Sequence, residues 1–261
     1  MSTEIVAILE KMQAISLDEM ESIRLMDRID SKFVAPVSLL PILLEEMIPY
    51  FRVQIINDKR IAPYCTQYFD TPRLDMFVMH QNGKLNRQKI RIRSYIDSNL
   101  SFLEVKNKNN RGRTSKVRVP IQQSHLNSIN ELDDEKQFLE KNSIFDSDNL
   151  VPVLGNNFKR ITLVNNRKTE RITIDVDLSF TNYKTEKEKS LDKLMILELK
   201  QDGWKHSDFR DILNRMRIKK ISFSKYCIGT FLTNPKINTI NPEIKYNRFK
   251  RKITRINKLI Q

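Results

Sequence analysis

The stretch RQKIRIRSY, from Arg87 to Tyr95, decides how the rest of the sequence is interpreted. Side chains of a β-strand alternate between its two faces. In this stretch one face carries four cations: Arg87, Lys89, Arg91 and Arg93. The other face carries Gln88, Ile90 and Ile92. The stretch therefore predicts a strand with one apolar and one cationic face, and it contains no acid to balance the cations.

The composition points to a soluble protein with an anionic partner. The chain has 261 residues and 39% hydrophobic content, enough for one large domain or two small ones. Lys and Arg number 46 against 32 Asp and Glu, a formal charge of +14. This excess favours nucleic acid, an anionic membrane or a phosphate-rich molecule as the partner. The cysteines, Cys65 and Cys227, show no pairing pattern, which indicates a reducing compartment.

Alternating apolar and polar residues recur along the chain and predict eight strands. The predicted strands are RIDSKFVAP, YCTQYFDTP, RQKIRIRSY, SFLEVKNK, SKVRVPI, NFKRITLV, ERITIDVDLSF and LMILELK. Apolar residues at helical spacing predict helices near residues 5–12, 38–48 and 74–81, through most of 122–149, and again beyond residue 201. Ser16 and Glu19 form a capping-box pattern, and KTEKEKSLDK reads as a charged loop. The fold class is therefore α+β, with a mainly antiparallel sheet.

The polar faces of these strands are rich in cations. The cations are Arg28, Lys32, Arg87, Lys89, Arg91, Arg93, Lys106, Lys108, Lys116, Arg118, Arg160, Arg171 and Lys200. The acids on the same faces are Asp30, Glu104, Asp175, Asp177 and Glu198. If helices cover the apolar faces and the sheet closes, the cations line its interior, where they repel one another without an anion. Arg and Lys both bind phosphate oxygens, so a polyphosphate or a triphosphate fits such an interior.

A carboxylate among these cations has two interpretations. Glu198 lies two residues from Lys200, and Glu104 is spaced in the same way from Lys106. Each carboxylate could be a ligand for Mg²⁺ or Mn²⁺ bridging phosphates, or one member of a structural ion pair. The sequence contains no P-loop, no GxGxxG and no kinase catalytic-loop motif. His80 follows a predicted helix, which favours a structural role.

At these residues the sequence resembles the triphosphate tunnel metalloenzyme superfamily, which has the CYTH-like fold. Within it, the chain is most similar to the polyphosphate polymerase domain of the vacuolar transporter chaperone complex, in its stand-alone bacterial form. The matching blocks, in order along the chain, are RIDSKFV, YFDTP, NGKLNRQKIRIRSY, FLEVKNK, SKVRV, KRI, ERITIDVDL, ILELK and FSKY. The family's N-terminal ExExK is replaced here by Arg28-Ile-Asp30-Ser-Lys32, which favours the polymerase branch over the triphosphatases.

The resemblance implies an eight-stranded antiparallel β-barrel with helices packed outside and a basic tunnel inside. It implies transfer of the terminal phosphate of ATP onto a growing polyphosphate chain, with Mn²⁺ or Mg²⁺. It assigns phosphate contacts to Lys32, Arg91, Arg93, Lys106, Lys116, Arg160, Arg171 and Lys225, and the metal to Glu198. Of these, all but Lys116 and Glu198 are expected to be catalytic. Substrate binding is expected from Lys116 and the other cations of the same faces: Arg28, Arg87, Lys89, Arg118 and Lys200.

We expect one tunnel domain over residues 1–261, with a core of about 26–232, preceded by helices and followed by a basic amphipathic helix. The last helix either docks on the domain or faces a membrane or polyanion. The N-terminal MSTEIVAILEKM lacks the basic region of a signal peptide, and the apolar run 37–48 is too short to span a bilayer. These features predict a cytoplasmic protein without a transmembrane segment. They leave its oligomeric state open.

Two alternatives to the polymerase remain. One is a metal-dependent hydrolase of tripolyphosphate or nucleoside triphosphates, with the same fold. The other is a non-catalytic module that binds RNA or polyphosphate. We expect ATP and polyphosphate as partners and no nucleic acid, because the basic strands lack the aromatic platform on which bases stack.

Overall fold

The structure is a computed structural model that describes residues 2–21, 23, 28–111, 113–122, 129, 133–203, 205–237 and 246–259. For residues 21, 28 and 246–249 it describes the backbone alone. Its strands are β1 (Ala14–Ile15), β2 (Arg28–Pro36), β3 (Phe51–Gln54), β4 (Ala62–Asp70), β5 (Arg87–Tyr95), β6 (Leu100–Lys108), β7 (Thr114–Pro120), β8 (Val151–Asn165), β9 (Glu170–Asn182), β10 (Glu188–Leu191) and β11 (Leu194–Asp202).

The helices of the described residues lie before, between and after these strands. They are α1 (Thr3–Lys11), α2 (Leu17–Glu21), α3 (Leu40–Met47), α4 (Asp75–Gln81), α5 (Asp133–Asn142), α6 (Asp208–Arg215), α7 (Lys225–Thr233) and α8 (Tyr246–Asn257). Short 3₁₀ turns cover Val37–Leu39, Ile96–Ser98 and Ser147–Asn149. None of the described helices has the length and apolar character that a bilayer crossing needs.

One antiparallel path of eight strands organises the sheet, in the order β2-β11-β9-β8-β4-β5-β6-β7. Every neighbouring pair on this path is antiparallel. The other strands attach at its side: β10 pairs with β9, β3 with β8, and β1 runs parallel to β3. The α+β class and the antiparallel sheet predicted from the sequence are confirmed.

The closed barrel predicted from the sequence is not found. Among the described residues, β2 and β7 end the path and no hydrogen-bonded ladder joins them. Asp30 and Lys32 of β2 nevertheless line the same cavity as Thr114 and Lys116 of β7. The sheet therefore curves around this cavity and leaves a seam between its end strands.

The alternation of RQKIRIRSY is confirmed in β5 from Arg87 to Arg93. Ile90 and Ile92 are buried in a cluster with Leu103 and Val105 of β6, while the cations lie on the other face. Helix α5 covers this cluster through Leu139. Because helices cover most of the apolar faces, although not that of β7, the polar faces are left to line the inside of the curved sheet.

Two further clusters complete the outer layer. Helices α1, α3 and α6 pack on strands β2, β9 and β11. On the opposite side, α7 and α8 pack on β8, β9 and β4. In α8, Ile253 and Ile256 are buried in this second cluster. The basic C-terminal helix thus docks on the sheet domain, as one of its two interpretations predicted.

The local predictions have different outcomes. Residues 122–149 were predicted to be mostly helical, and their described part agrees, because most of it forms α5 and one 3₁₀ turn; the rest of the segment lies outside the described residues. The charged segment KTEKEKSLDK contains β10, which pairs with β9. The capping box is confirmed: Ser16 N–H donates to Glu19 Oε2 at 3.0 Å, and Glu19 N–H donates to Ser16 Oγ at 3.2 Å. The prediction of one domain over residues 1–261 stays a prediction.

Gly229 sets how closely α7 approaches the sheet. A Cβ at this position would lie 2.4 Å from Phe180 Cδ1 and 2.7 Å from Leu154 Cδ2, both buried side chains. We expect Gly229→Ala to lower the free energy of unfolding by about 1–3 kcal/mol, because the core cannot move aside easily. Urea denaturation measures this change.

Gly155→Ala is the matched control. Its Cβ would lie 2.8 Å from Tyr183 Oη, the end of a partly exposed side chain that can rotate away. We expect a loss below about 1 kcal/mol for this variant. Equal losses for the two variants would show that Gly229 does not control the packing of α7.

Candidate active site

A cavity of about 530 Å³ lies on the polar side of the curved sheet. All eight strands of the antiparallel path contribute to its wall, together with the start of α7. We call it the central cavity. Its lining residues are Asp30, Lys32, Tyr68, Lys89, Arg91, Arg93, Lys106, Thr114, Lys116, Arg160, Arg171, Asp175, Ile196, Glu198, Lys200, Phe223, Ser224 and Lys225.

Glu104 compensates part of this charge from β6. Its carboxylate is fully buried and accepts hydrogen bonds from Arg91 Nε at 2.8 Å and Lys116 Nζ at 3.0 Å. Burial alone would raise the pKa of Glu104, but Arg91, Arg93 and Lys116 lower it to about 2. Glu104 therefore stays ionised and holds β5 and β7 to β6 through charged contacts.

Asp175 plays the same part on the opposite wall. Arg160 of β8 forms a bidentate pair with it, with Nε–Oδ1 and Nη2–Oδ2 distances of 2.6 and 2.8 Å. Lys225, the first residue of α7, also donates to Asp175 and lies 3.4 Å from the centre of the Phe158 ring. Burial would raise the pKa of Asp175, whereas Arg160 and Lys225 hold it below its usual range.

A buried carboxylate behind the cavity fixes helix α7. Asp70, at the end of β4, accepts the backbone N–H groups of Met76 and Phe77 at 2.9 Å each. The hydroxyl of Tyr226 donates to the same carboxylate. Burial raises the pKa of Asp70 to about 6 even with these donors present. Because Tyr226 follows Lys225, this contact sets where Lys225 enters the cavity.

Glu198 is held by lysines of its own strand and of β2. Lys32 Nζ lies 3.0 Å from Oε2, and Lys200 Nζ lies 3.8 Å from Oε1. Burial would raise the pKa of Glu198, but Lys32 and Lys200 hold it well below its usual value. Glu198 is thus an ionised carboxylate at the cavity wall, and the ion pair considered from the sequence is present.

Three cations of the central cavity form no salt bridge with an acid of the described residues. Lys89 and Lys106 are direct partners across β5 and β6, and like charges in that position repel. Burial lowers the pKa of Lys89 to about 7, and Lys32 and Lys106 act in the same direction. Burial also lowers the pKa of Arg93, followed by repulsion from Arg91 and Arg160, and its buried Nε has no hydrogen-bond partner among the described residues. An anion would satisfy all three groups.

The structure brings most of the predicted site residues together. Eleven of them line the central cavity: Lys32, Lys89, Arg91, Arg93, Lys106, Lys116, Arg160, Arg171, Glu198, Lys200 and Lys225. Arg87 lines an adjoining cavity instead, and Arg118 lies over the ring of Phe102 at 4.4 Å, outside the central cavity. The side chain of Arg28 lies outside the described residues. The roles of all these residues stay predictions.

Sequence reasoning missed several residues of the wall. Tyr68 and Phe223 contribute ring surface, and Ser224 caps α7 by accepting the N–H of Cys227 at 3.3 Å. A Ser directly before a helix is a recognisable capping signal, so Ser224 could have been found. Tyr68 and Phe223 stand in apolar segments, where no sequence feature separates a cavity wall from a core position.

The central cavity offers few protein ligands for a metal ion. In the part of the chain that the structure describes, no group of three or more His, Cys, Asp or Glu side chains is arranged to hold one. Mg²⁺ commonly takes one or two protein carboxylates and completes its shell with phosphate oxygens and water. The ionised Glu198 fits that mode, provided that the substrate supplies the other ligands.

An antiparallel sheet curved around a cation-lined cavity agrees with the fold expected from the sequence resemblance. The chain belongs to the VTC domain family, whose model matches residues 27–234. No curated protein sequence matches the chain.

Solved structures of similar fold come from distant organisms. A Hippeastrum protein with a reported dominant triphosphatase activity is 14% identical, with a TM-score of 0.50 over 80% of this chain and 98% of its own. A Vibrio parahaemolyticus protein is 10% identical, with a TM-score of 0.45 over 78% and 99% of the two chains. A Pyrococcus horikoshii protein is 15% identical, with a TM-score of 0.43 over 78% and 98%. At these identities the likeness concerns the fold alone.

The low pKa of Lys89 predicts that anion binding takes up protons. At pH 8 its amine is mostly neutral in the free protein, and a phosphate anion nearby stabilises the charged form. We expect tripolyphosphate binding at pH 8 to take up about one proton more in the parent than in Lys89→Gln. Calorimetry in buffers of different ionisation enthalpy measures this difference.

Lys11→Gln is the control, because Lys11 is an exposed lysine on α1, away from the cavity. It should take up as many protons as the parent. Equal uptake by the parent and Lys89→Gln would mean that Lys89 is already charged in the free protein or does not meet the anion.

Proposed function

We propose that the chain is a polyphosphate polymerase that transfers the terminal phosphate of ATP onto a growing polyphosphate chain. The observation that carries this proposal is the excess of buried cations over acids in the central cavity, where Arg93, Lys89 and Lys106 form no salt bridge with a carboxylate of the described residues. Membership of the VTC domain family supports the same substrate class. The enclosing sheet favours a narrow phosphate chain over a duplex nucleic acid.

The reaction needs positioning and charge neutralisation more than a covalent nucleophile. The bond between the terminal phosphorus of ATP and the bridging oxygen breaks, and a bond forms to the end oxygen of the polyphosphate chain, releasing ADP. Arg91 and Arg93 present guanidinium groups that bind the transferring phosphate and stabilise its charge. Arg160, held rigidly by Asp175, and Lys225 do the same from the opposite wall.

Glu198, with its pKa held low, is the residue that would hold a divalent cation beside the phosphates. When bound, Mn²⁺ or Mg²⁺ would offset the negative charge of the phosphates. Lys32 and Lys200 keep the Glu198 carboxylate ionised and in place. Lys106 and Lys116 complete the phosphate-binding wall.

The cavity carboxylates favour the polymerase over hydrolysis. A polyphosphate end already carries a negative oxygen, so it needs no protein base. An attacking water must lose a proton, yet Glu104, Asp175 and Glu198 all have lowered pKa values and are weak bases. Hydrolysis of triphosphates is the second candidate, because Lys89, with a pKa of about 7, could accept that proton. The similar Hippeastrum protein is described as a triphosphatase.

Product analysis tests the proposal. We expect purified protein with ATP and Mn²⁺ to form polyphosphate visible as a ladder on a gel, with ADP in excess over free orthophosphate. Release of orthophosphate equal to ADP would identify a hydrolase. Binding of polyphosphate without turnover would identify a non-catalytic module.

Arg93 should be needed for turnover. We expect Arg93→Ala to lower kcat by more than about tenfold, because it removes a donor to the transferring phosphate. Arg93→Lys should recover only part of the rate, since the planar fork is lost. Arg215→Ala, which removes an exposed arginine paired with Glu46, is the control and should match the parent. Normal turnover by Arg93→Ala would show that Arg93 does not bind the transferring phosphate.

Glu198→Gln separates metal binding from a structural ion pair. Lys32 is 38% exposed, so losing its partner should cost about 1 kcal/mol of stability or less, while metal-dependent turnover collapses. Asp175→Asn is the comparison, because it leaves the buried Arg160 and Lys225 without an ionised partner. It should lower the free energy of unfolding by about 3–5 kcal/mol. Melting curves and Mn²⁺ titrations of turnover measure both. A stable Glu198→Gln with full metal-dependent activity would rule out metal binding by Glu198.

A further inference from the structure

A second cavity, of about 350 Å³, adjoins the central cavity, and we call it the second chamber. Seven residues line both cavities, so the two cavities meet along a common set of side chains: Asp30, Lys32, Lys89, Lys106, Thr114, Phe223 and Ser224. The second chamber adds groups that the central cavity lacks: His80, Arg87, Lys108, Lys220, Ser222 and Lys252. Its position and lining make it a continuation of the cationic path.

Helix α8 supplies one wall of the second chamber. Ile253 and Ile256 anchor this helix in the cluster that also contains Tyr226 of α7. The neighbouring Lys252 lines the chamber and donates from Nζ to Ser222 Oγ at 2.9 Å. Residue 252 lies beyond residue 234, where the match to the VTC domain family ends. The second chamber is therefore completed by a part of this chain outside the family domain.

The charge of the second chamber calls for an anion. Its lining cations come from five separate parts of the described chain, and its lining contains one acid, Asp30. His80 does not add to the charge, because burial, followed by Lys89 and Arg87, lowers its pKa to about 2. Neutral His80 and the hydroxyls of Ser222 and Ser224 can donate hydrogen bonds to phosphate oxygens without further repulsion.

We propose that the second chamber, with α8 as one wall, binds the phosphate units of a chain that extends beyond the central cavity. This inference rests on the proposed function, in which a phosphate chain occupies the central cavity. Lys89 and Lys106 stand at the junction and contact phosphates on either side. Short anions fill only the central cavity, whereas long chains also meet Lys252 and Lys220. Affinity therefore increases with chain length through contacts to α8.

Binding of two anions tests this division. We measure Kd by calorimetry for tripolyphosphate and for long-chain polyphosphate, at fixed salt and without nucleotide. Lys252→Gln should weaken long-chain binding by about tenfold, as expected for one lost charge-assisted contact. Tripolyphosphate binding should change by less than roughly twofold, because Lys252 lies outside the central cavity.

Lys250→Gln is the matched control: it removes the same charge from the same helix at an exposed position that lines neither chamber. It should bind both anions as the parent does. Lys220→Gln removes a lining cation that lies outside α8, on the segment that bridges to Phe33 of β2, and should repeat the selective loss.

The outcomes separate this inference from the proposed function. Equal long-chain affinities for Lys252→Gln and Lys250→Gln, or no gain of affinity with chain length, would overturn phosphate binding in the second chamber. The proposed polymerase activity would not be affected by either result. The protein could also bind long chains more tightly than short ones, lose that preference in Lys252→Gln, and make no polyphosphate. This result would support phosphate binding in the second chamber and rule out the polymerase activity. Failure of the parent to bind either anion overturns both.

Discussion

Repulsion among the cations inside the curved sheet is the constraint on which the rest of the structure depends. Strand β5 turns three cations toward the central cavity, and β2, β6, β7, β8, β9 and β11 each add one. Glu104 and Asp175 answer this repulsion, each buried and each bound by two cations from neighbouring elements. These two acids lower the repulsion among the cations of the central cavity, and they leave part of its positive charge available to a ligand.

The outer helices transmit this arrangement to particular side chains. Asp70 ties the end of β4 to α4 and, through Tyr226, to α7. Gly229 lets α7 lie close to Phe180 and Leu154. Lys225 reaches Asp175 because both contacts fix the first turn of α7. A phosphate-binding residue is thus positioned by groups that never face the cavity.

The sequence was sufficient for the strands and for their faces, because a period of two is a local signal that one stretch such as RQKIRIRSY displays completely. It was not sufficient to predict which cations of a polar face reach the central cavity. Arg118 and Lys116 share a face of β7, yet only Lys116 lines the central cavity, since position along the strand decides which cation reaches inside. The missing ladder between β2 and β7 also had no local sign, because pairing between strands so far apart depends on the curvature of the whole sheet.

The short strands could not be predicted from the sequence for a different reason. Strand β3 has four residues and β1 two, too few to display a period. Strand β10 lies in a charged segment whose composition is typical of a loop, and it exists because β9 offers it an edge. Ser224 and Lys252 carry ordinary signals of a helix cap and a basic helix, but only the packing of α7 and α8 places them beside the same anionic path.

The seam between β2 and β7 has a mechanical consequence. In a fully hydrogen-bonded ring, widening the lumen would require breaking a ladder of backbone hydrogen bonds, each worth about 1 kcal/mol. Here, among the described residues, the circumference is interrupted at one place, so the two flanking strands can part without that cost. The central cavity can therefore widen by separation of β2 from β7, without loss of any backbone hydrogen bond within the sheet.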